Sequence, residues 1–389
     1  RRHRLWLVTH ELHWDDALPD VVDGQAGLED AARELAAGQG PLGVDAERAG
    51  SYRYSQRAYL IQVYRRNAPV LLLDPIGIDD FSSLAEVLRS DEWVMQAAHN
   101  DLDCLAELGL RPSTLFDTEI AAQLLGLERV GLAALVETQL GYQMRKGHGQ
   151  ADWSRRPLRR SWLEYAVLDV SLLPDLEDEL AEKLADAHKT EWATQEFAHQ
   201  IRERPPVDPA TRWQRTAGAG RLRSDAQRGA LRALWFHRDE IARKRDLAVH
   251  RIARDQTLVD MAKAMPKTAS ALASLPNMPR PVVGQARQWL AVIAQGADDP
   301  VPSPERPDGP PPRSLRAWES RDTKAAARWV ALRESLSQRA EQLHVWPQTL
   351  LAPDIVAEVA WDPPESPEQR LRDLGARPWQ VENTVDLLR

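Results

Sequence analysis

The sequence predicts an α/β domain followed by two small helical modules. Short strand-like runs crowd residues 42–98: LGVDAE alternates, VLLLD is a brief apolar run that ends at Pro75, and WVMQAA reads as a buried strand. Helical patterns dominate from Asp101 onward, and strands followed by α/β alternation indicate one α/β domain over 1–205. Beyond Pro205 and Pro206 no strand-like alternation occurs up to about 296.

In chain order, strands are expected at 42–47, 56–65 and 68–74. A helix follows at 79–90, with Asp79 or Asp80 near its cap, and then a strand at 93–98. Helices are expected at 101–109, 117–126, 131–140 and roughly 160–187. Residues 211–254 change character: 12 Arg or Lys stand against 4 Asp or Glu, on the helical pattern of ALRALWFHRDEIARKRD. A small helical domain is read at 218–296. Residues 298–313 hold seven prolines, which predicts a stiff, extended linker over 297–313. Residues 314–389 read as a second helical domain. Its Arg/Leu/Trp-rich opening helix resembles that of the first, as in a degenerate repeat.

At 389 residues the chain has room for two or three domains, and 43% hydrophobic residues support real cores. A net charge of −8 argues against an indiscriminate polyanion binder but leaves local basic surfaces open. Cys104 is the only cysteine, which excludes an intramolecular disulfide and a cysteine-based zinc site. No apolar run approaches the roughly 18–20 residues of a membrane helix, and RRHRLWLVTHELHW lacks the apolar core of a signal peptide. The default location is cytoplasmic. The chain opens on Arg1 instead of methionine, as a trimmed chain would.

Acidic residues in three separated places carry the chemical signal. A helix over 160–187 would bear an apolar stripe through Trp162, Tyr165, Ala166, Leu172, Leu173, Leu176 and Leu180, and Asp169 stands where that stripe wants another leucine. A carboxylate on a buried face is costly unless paired or metal-bound. Tyr165, at i−4, shares that face, so a satisfied buried Asp bonded to Tyr165 is the plain alternative. On PLGVDAER, Asp45 and Glu47 point to one side of a strand while Leu42, Val44 and Ala46 take the other. Neighbouring carboxylates repel unless a cation joins them, and Mg²⁺ and Mn²⁺ prefer such hard oxygen ligands. Alone, the pair more readily describes a solvated strand end. Asp101 follows WVMQAA, where α/β sheets place ligands. It and Asp103 also suit the first turn of a helix capped by Asn100, and Asp103 competes for the same role.

In this order and spacing, the residues resemble ribonuclease D, within the DEDD family of 3′→5′ exonucleases, in the subclass whose third motif carries a tyrosine. Asp45 and Glu47 match the first motif, Asp101 the second, Asp169 the third and Tyr165 the tyrosine. LIQV around Gln62, LFDTEIAAQLLG around Asp117 and ADWSRRPL at 151–158 also match, so the resemblance covers about residues 25–200. Many members carry a histidine five residues before the second-motif Asp; here that position is Gln96, with His99 nearby. The helical segments resemble HRDC domains, the first through GALRALWFHRDEIARKRD and the second through its position and LLAPDIV at 350–356. The resemblance implies a ribonuclease H-like mixed-sheet exonuclease domain followed by two all-α HRDC-like domains.

It also implies hydrolysis of RNA from a free 3′ end to nucleoside 5′-monophosphates, by two divalent ions (Mg²⁺ or Mn²⁺) about 3.5–4 Å apart. In that arrangement Asp45 bridges both ions, Glu47 and Asp169 hold the one on the nucleophile's side, and Asp101 holds the leaving-group side through water. Tyr165 orients the water, since a tyrosine with an ordinary pKa of about 10 is a poor base at neutral pH. Single-stranded ends are held by backbone contacts and stacking, and Gln62, Lys146, His148, Trp153, Arg155 and Arg156 are the candidates. Residues 143–160 carry six Arg or Lys against one acid, Asp152. Most other tryptophans, such as Trp235, Trp329 and Trp361, read as core. The basic face of 211–254 is either a phosphate-binding surface or a solvated helix face. Expected partners are tRNA precursors, and a monomer is expected. The alternatives are a DNA exonuclease of repair and a non-catalytic RNA-binding protein on a nuclease scaffold, which the presence of all four acids disfavours. No GxxxxGK(S/T) loop signals a helicase motor.

Overall fold

The computed structural model describes residues 10–11, 17–144, 147–202, 208–302, 311 and 315–388. They fall into two units: Arg1–Glu47, Arg57–Arg202 and Pro310–Arg389 form one, and Arg48–Gln56 with Glu203–Gly309 form the other. Most of the proline-rich stretch, 303–310 and 312–313, lies outside the described residues.

The first unit is built on a mixed six-stranded sheet. Its strands are β2 (Val21–Val22), β3 (Gln39–Arg48), β4 (Ala58–Arg66), β5 (Leu71–Leu73), β6 (Trp93–Met95) and β7 (Leu115–Asp117), in the order β2-β5-β4-β3-β6-β7. β3, β6 and β7 run parallel, with Gly43 opposite Val94 and Met95 opposite Asp117, while β4 and β5 are antiparallel. The AYLIQV run of β4 is buried throughout, as a strand covered on both faces must be. A separate parallel ladder joins β1 (His10–Glu11) to β8 (Tyr142–Gln143).

Several expectations are redrawn by the structure. The helix read at 160–187 is two helices, Arg160–Ser171 and Leu173–Asp186. The break falls at Leu172, and Pro174 then occupies the first turn of the second helix, where its missing N–H costs nothing. The strand read at 93–98 ends at Met95, because Ala97 is left-handed (φ 53°) and Ala98–Asn100 form a 3₁₀ turn. A helix at Gln25–Ala36, not expected from the sequence, buries Leu28, Ala32 and Leu35 at i, i+4 and i+7.

The C-terminal helices of this unit begin at Leu315 and include Thr323–Leu343, Pro353–Trp361 and Pro378–Thr384. They dock on Thr190–Gln200 and Thr118–Leu124 through specific contacts. The indoles of Trp192 and Trp379 stack at 4.8 Å. Buried Glu196 accepts from Arg377 Nε and Trp379 Nε1, both at 2.7 Å. Lys189 Nζ donates to the carbonyls of Leu124 and His344.

The second unit is helical. Its longest helix, Asp225–Arg245, opens on a Ser224/Gln227 capping box and packs Leu231 and Leu234 into a core with Leu258, Met261, Trp289 and Ile293. Tyr54 donates its hydroxyl to Asp239, which ties the short 48–56 segment to that helix. Among the described residues, no helix is long and apolar enough to cross a membrane.

Candidate active site

Gly43 lies two residues before Asp45 and faces the helix Arg160–Ser171. A Cβ there would stand 2.7 Å from the Val170 carbonyl oxygen and 3.3 Å from Leu173 Cβ. The glycine therefore lets the helix lie directly on β3, and this close approach sets Asp169 beside Asp45 and Glu47. One carboxylate oxygen from each of the three lies within 4.8 Å of the others. Glu47 and Asp169 are both buried, and Asp45 is half-buried.

Asp101 arrives by another route. Asp117, fully buried at the end of β7, caps the helix Thr118–Leu124 and also accepts from the backbone N–H groups of Ala97 (3.1 Å) and Ala98 (2.9 Å). One carboxylate thus fixes the left-handed turn that leads from β6 to Asp101. Asp101 is buried and is itself the N-cap residue of Leu102–Ala106, yet its side chain makes no capping hydrogen bond. Asp103 is exposed. The capping role read for Asn100 is absent, and Asp101, not Asp103, is the acid whose charge reaches Asp45.

The electrostatics follow from this crowding. The Asp45 carboxyl is pushed well above the carboxylate range by burial, and further by the charges of Asp101, Glu47 and Asp169. Burial also raises Asp169, and the hydrogen bond donated by the Tyr165 hydroxyl partly offsets it. The Tyr165 hydroxyl is held far above the ordinary phenol range by burial and by the charges of Asp169, Glu47 and Asp45. Acids so placed keep their charges only if cations compensate them. An all-carboxylate donor set fits hard divalent ions, so Asp45, Glu47 and Asp169 are the residues able to hold a metal.

Asp45 and Asp169 open onto a cleft of about 540 Å³, lined also by Tyr165, Gln96, Met144 and the Gly131–Ala134 segment. Gly147 lies flat on the Tyr165 ring: a Cβ there would come within 1.8 Å of it. His148 stands edge-on to the same ring at 6.0 Å.

Two of the expected RNA contacts are corrected. Gln62 and Trp153 are both 0% exposed, so neither has a surface to offer a nucleotide. Gln62 sits inside β4, and Trp153 packs on Trp162 at 5.2 Å. Arg156 is exposed and binds Asp74 and the carbonyls of Tyr59 and Trp153. Arg155 is exposed and paired with Asp152 at 3.1 Å. Lys146 lies outside the described residues. In the second unit, Arg228, Arg232, Arg238 and Lys244 of the basic face form ion pairs within their own unit.

Family profiles match three stretches of the chain. Residues 19–185 match a 3′-5′ exonuclease, 227–293 an HRDC domain, and 309–389 a 3′ to 5′ exonuclease C-terminal domain. Ribonuclease D of Shewanella sp. (strain ANA-3) is 33% identical over 284 residues, covering 70% of this chain and 72% of that protein. The chain belongs to the ribonuclease D family. Ribonuclease D of Escherichia coli (strain K12) is 30% identical over 293 residues, which cover 72% and 76% of the two chains. A crystal structure of a protein from Bifidobacterium adolescentis superimposes with a TM-score of 0.81 at 31% identity and covers 98% of each chain. The crystal structure of Escherichia coli RNase D shares the fold at a TM-score of 0.73 and 23% identity, covering 95% of this chain and 97% of that one. Residues 314–389, expected as a second HRDC-like domain, thus fall in a 309–389 match to a profile of a different description.

Proposed function

We propose that this chain is a metal-dependent 3′→5′ exoribonuclease that releases nucleoside 5′-monophosphates from RNA 3′ ends, with 3′-extended tRNA precursors as substrates. The observation that carries this reading is the meeting of Asp45, Glu47 and Asp169 within 4.8 Å of one another, beside Asp101 and Tyr165. Two divalent cations, Mg²⁺ or Mn²⁺, balance four carboxylates, and such ions relieve charge on a phosphodiester and activate water. Asp45 feels the charge of all three other acids, which favours it as the shared ligand, with Glu47 and Asp169 on one side and Asp101 on the other. Tyr165 keeps its proton on Oη, so its part is to fix Asp169 and orient the attacking water, not to remove a proton. Ribonuclease D relatives at 30–33% identity support RNA as the substrate.

The two helical modules also read as copies of one design, which supports an HRDC-like nature for the second. Asp225–Arg245 and Thr323–Leu343 are each 21 residues long. Each ends on a left-handed cap, Asp246 or His344, and each is followed by a four-residue helix, Val249–Ile252 or Pro347–Leu350. Next come Asp255–Ala264 and Pro353–Trp361, of 10 and 9 residues.

Product analysis on a 3′-extended tRNA and on matched RNA and DNA oligonucleotides tests the assignment. Mononucleotide release from RNA should stop with EDTA. It should fall in Asp45→Asn by more than the roughly 10–100-fold typical of losing a group behind a metal ligand, with the melting temperature of the metal-free protein unchanged or raised. Substantial turnover by Asp45→Asn would refute the metal assignment, and a preference for DNA would overturn the substrate.

A further inference from the structure

Gln96 lines the cleft beside Asp45, and both ends of its amide are engaged by the protein. Its Oε1 accepts from the Thr118 hydroxyl at 2.6 Å; its Nε2 donates to the Val130 carbonyl at 3.0 Å and reaches Glu119 Oε2 at 3.5 Å. The other oxygen of Glu119 accepts from Gln123 Nε2 at 3.0 Å, and Gln123 Oε1 accepts from the Thr349 hydroxyl at 2.7 Å. Thr349 belongs to the C-terminal module, where its carbonyl accepts from Gln380 Nε2 at 2.7 Å. A continuous relay of side chains thus runs from the C-terminal module to the cleft.

The relay has one sense. Glu119 can only accept, so Gln123 turns Nε2 to it and leaves Oε1 to receive the single proton of the Thr349 hydroxyl. Gln96 likewise turns Nε2 to two obligate acceptors, the Val130 carbonyl at 3.0 Å and, more loosely, Glu119 at 3.5 Å. Val130 directly precedes the cleft wall, whose first turn closes on Gly131 through the N–H groups of Ala134 and Leu135. Removing the Thr349 hydroxyl leaves Gln123 Oε1 without its donor and loosens the side chain that holds Glu119, and the loss passes along the chain.

We propose that the C-terminal module is a positioning element of the substrate cleft: through Thr349, Gln123, Glu119 and Gln96 it holds the Val130–Ala134 wall in register with the acids, against the terminal nucleoside of the RNA. This rests on the exonuclease reading. Thr349 is a positioning residue, and the module does not need it to stay docked. The Trp192–Trp379 stack, the Arg377–Glu196 pair and Lys189 hold the module independently.

The test compares Thr349→Val, which keeps the shape and loses the hydroxyl, with Thr349→Ser, which keeps the hydroxyl. Hydrogen exchange is followed on the peptide spanning 128–140, and steady-state hydrolysis is followed on a single-stranded RNA in Mg²⁺. Thr349→Val should exchange faster at Ala134 and Leu135 and raise KM about fivefold, the effect of one neutral hydrogen bond, with kcat within about twofold. Thr349→Ser should restore both. A merely structural role would lower the active fraction, and so kcat, while KM stayed put. Unchanged exchange overturns the relay, and changed exchange with unchanged KM overturns its role toward substrate. If the parent releases no mononucleotide, the exonuclease reading fails instead, and exchange alone decides whether the relay holds the wall.

Discussion

Glu177, on the helix after the one carrying Asp169, stands against Glu92. Burial, then the Glu92 charge and the hydrogen bond to it, raise the Glu177 acid to about 8 from an ordinary value of 4.5. The folded state therefore holds the Glu177 proton more tightly than the unfolded chain. The stability it contributes is complete below about pH 4.5 and is lost as pH rises through about 8. Glu177→Gln carries no charge, so it should melt with the parent near about pH 5 and above it near about pH 9; superimposable melting curves over that range would remove Glu177 from the account. Single residues were legible in the sequence where chemistry broke a pattern. Asp169 in a leucine's place and Asp45 with Glu47 on one strand face were visible because carboxylates there are costly. Depth was not legible. Gln62 and Trp153 have the right chemistry for RNA, but nothing local says that both are sealed inside. Nor does any residue type announce the Gly131–Ala134 wall, which presents backbone and small apolar groups.

At the scale of elements, the site depends on how closely β3 and the helix Arg160–Ser171 approach. Gly43→Ala would put a methyl group 2.7 Å from the Val170 carbonyl, so strand and helix must part. Overpacking of this kind costs about 1–3 kcal/mol, and a shift of the order of 1 Å between reacting groups costs about 10²-fold in rate. The variant should therefore lose most of its kcat while remaining folded at 25 °C, as near-UV circular dichroism would report. Retention of full kcat would mean that this contact does not set the distance between the acids. Strands β3, β4, β5 and β6 and most helices were legible from apolar periodicity. The helix break was not, because the apolar stripe passes through Leu172 and Leu173 without a gap and Pro174 alone hints at the new start. β7 was missed because its three residues give periodicity nothing to count.

At the scale of the molecule, the C-terminal module is held by a few buried polar anchors. Glu196 is 5% exposed and is shared by Arg377 and Trp379. Truncating it leaves the half-buried Arg377 guanidinium with only the Gly375 carbonyl and the Trp379 indole N–H unpaired, a loss of up to about 3 kcal/mol, the low end for breaking a buried pair. Glu196→Ala should lower the urea midpoint accordingly and speed limited proteolysis after Leu315; a midpoint within error of the parent would show that the stacked indoles suffice. None of this docking was legible. Its partners are some 180 residues apart in sequence, as with Glu196 and Arg377, and a lone Glu or Trp on a helix carries no record of its mate.

That discontinuity bears on biosynthesis. The nuclease sheet is translated first, roughly a hundred residues of the other unit follow, and only then do the helices appear that complete the first unit. At about 5–20 residues per second, the delay is about 5–20 s. During it the four acids exist on the nascent chain without the relay that fixes the wall beside them, so a newborn nuclease would reach full grip on RNA only after Thr349 has left the ribosome translating its own message.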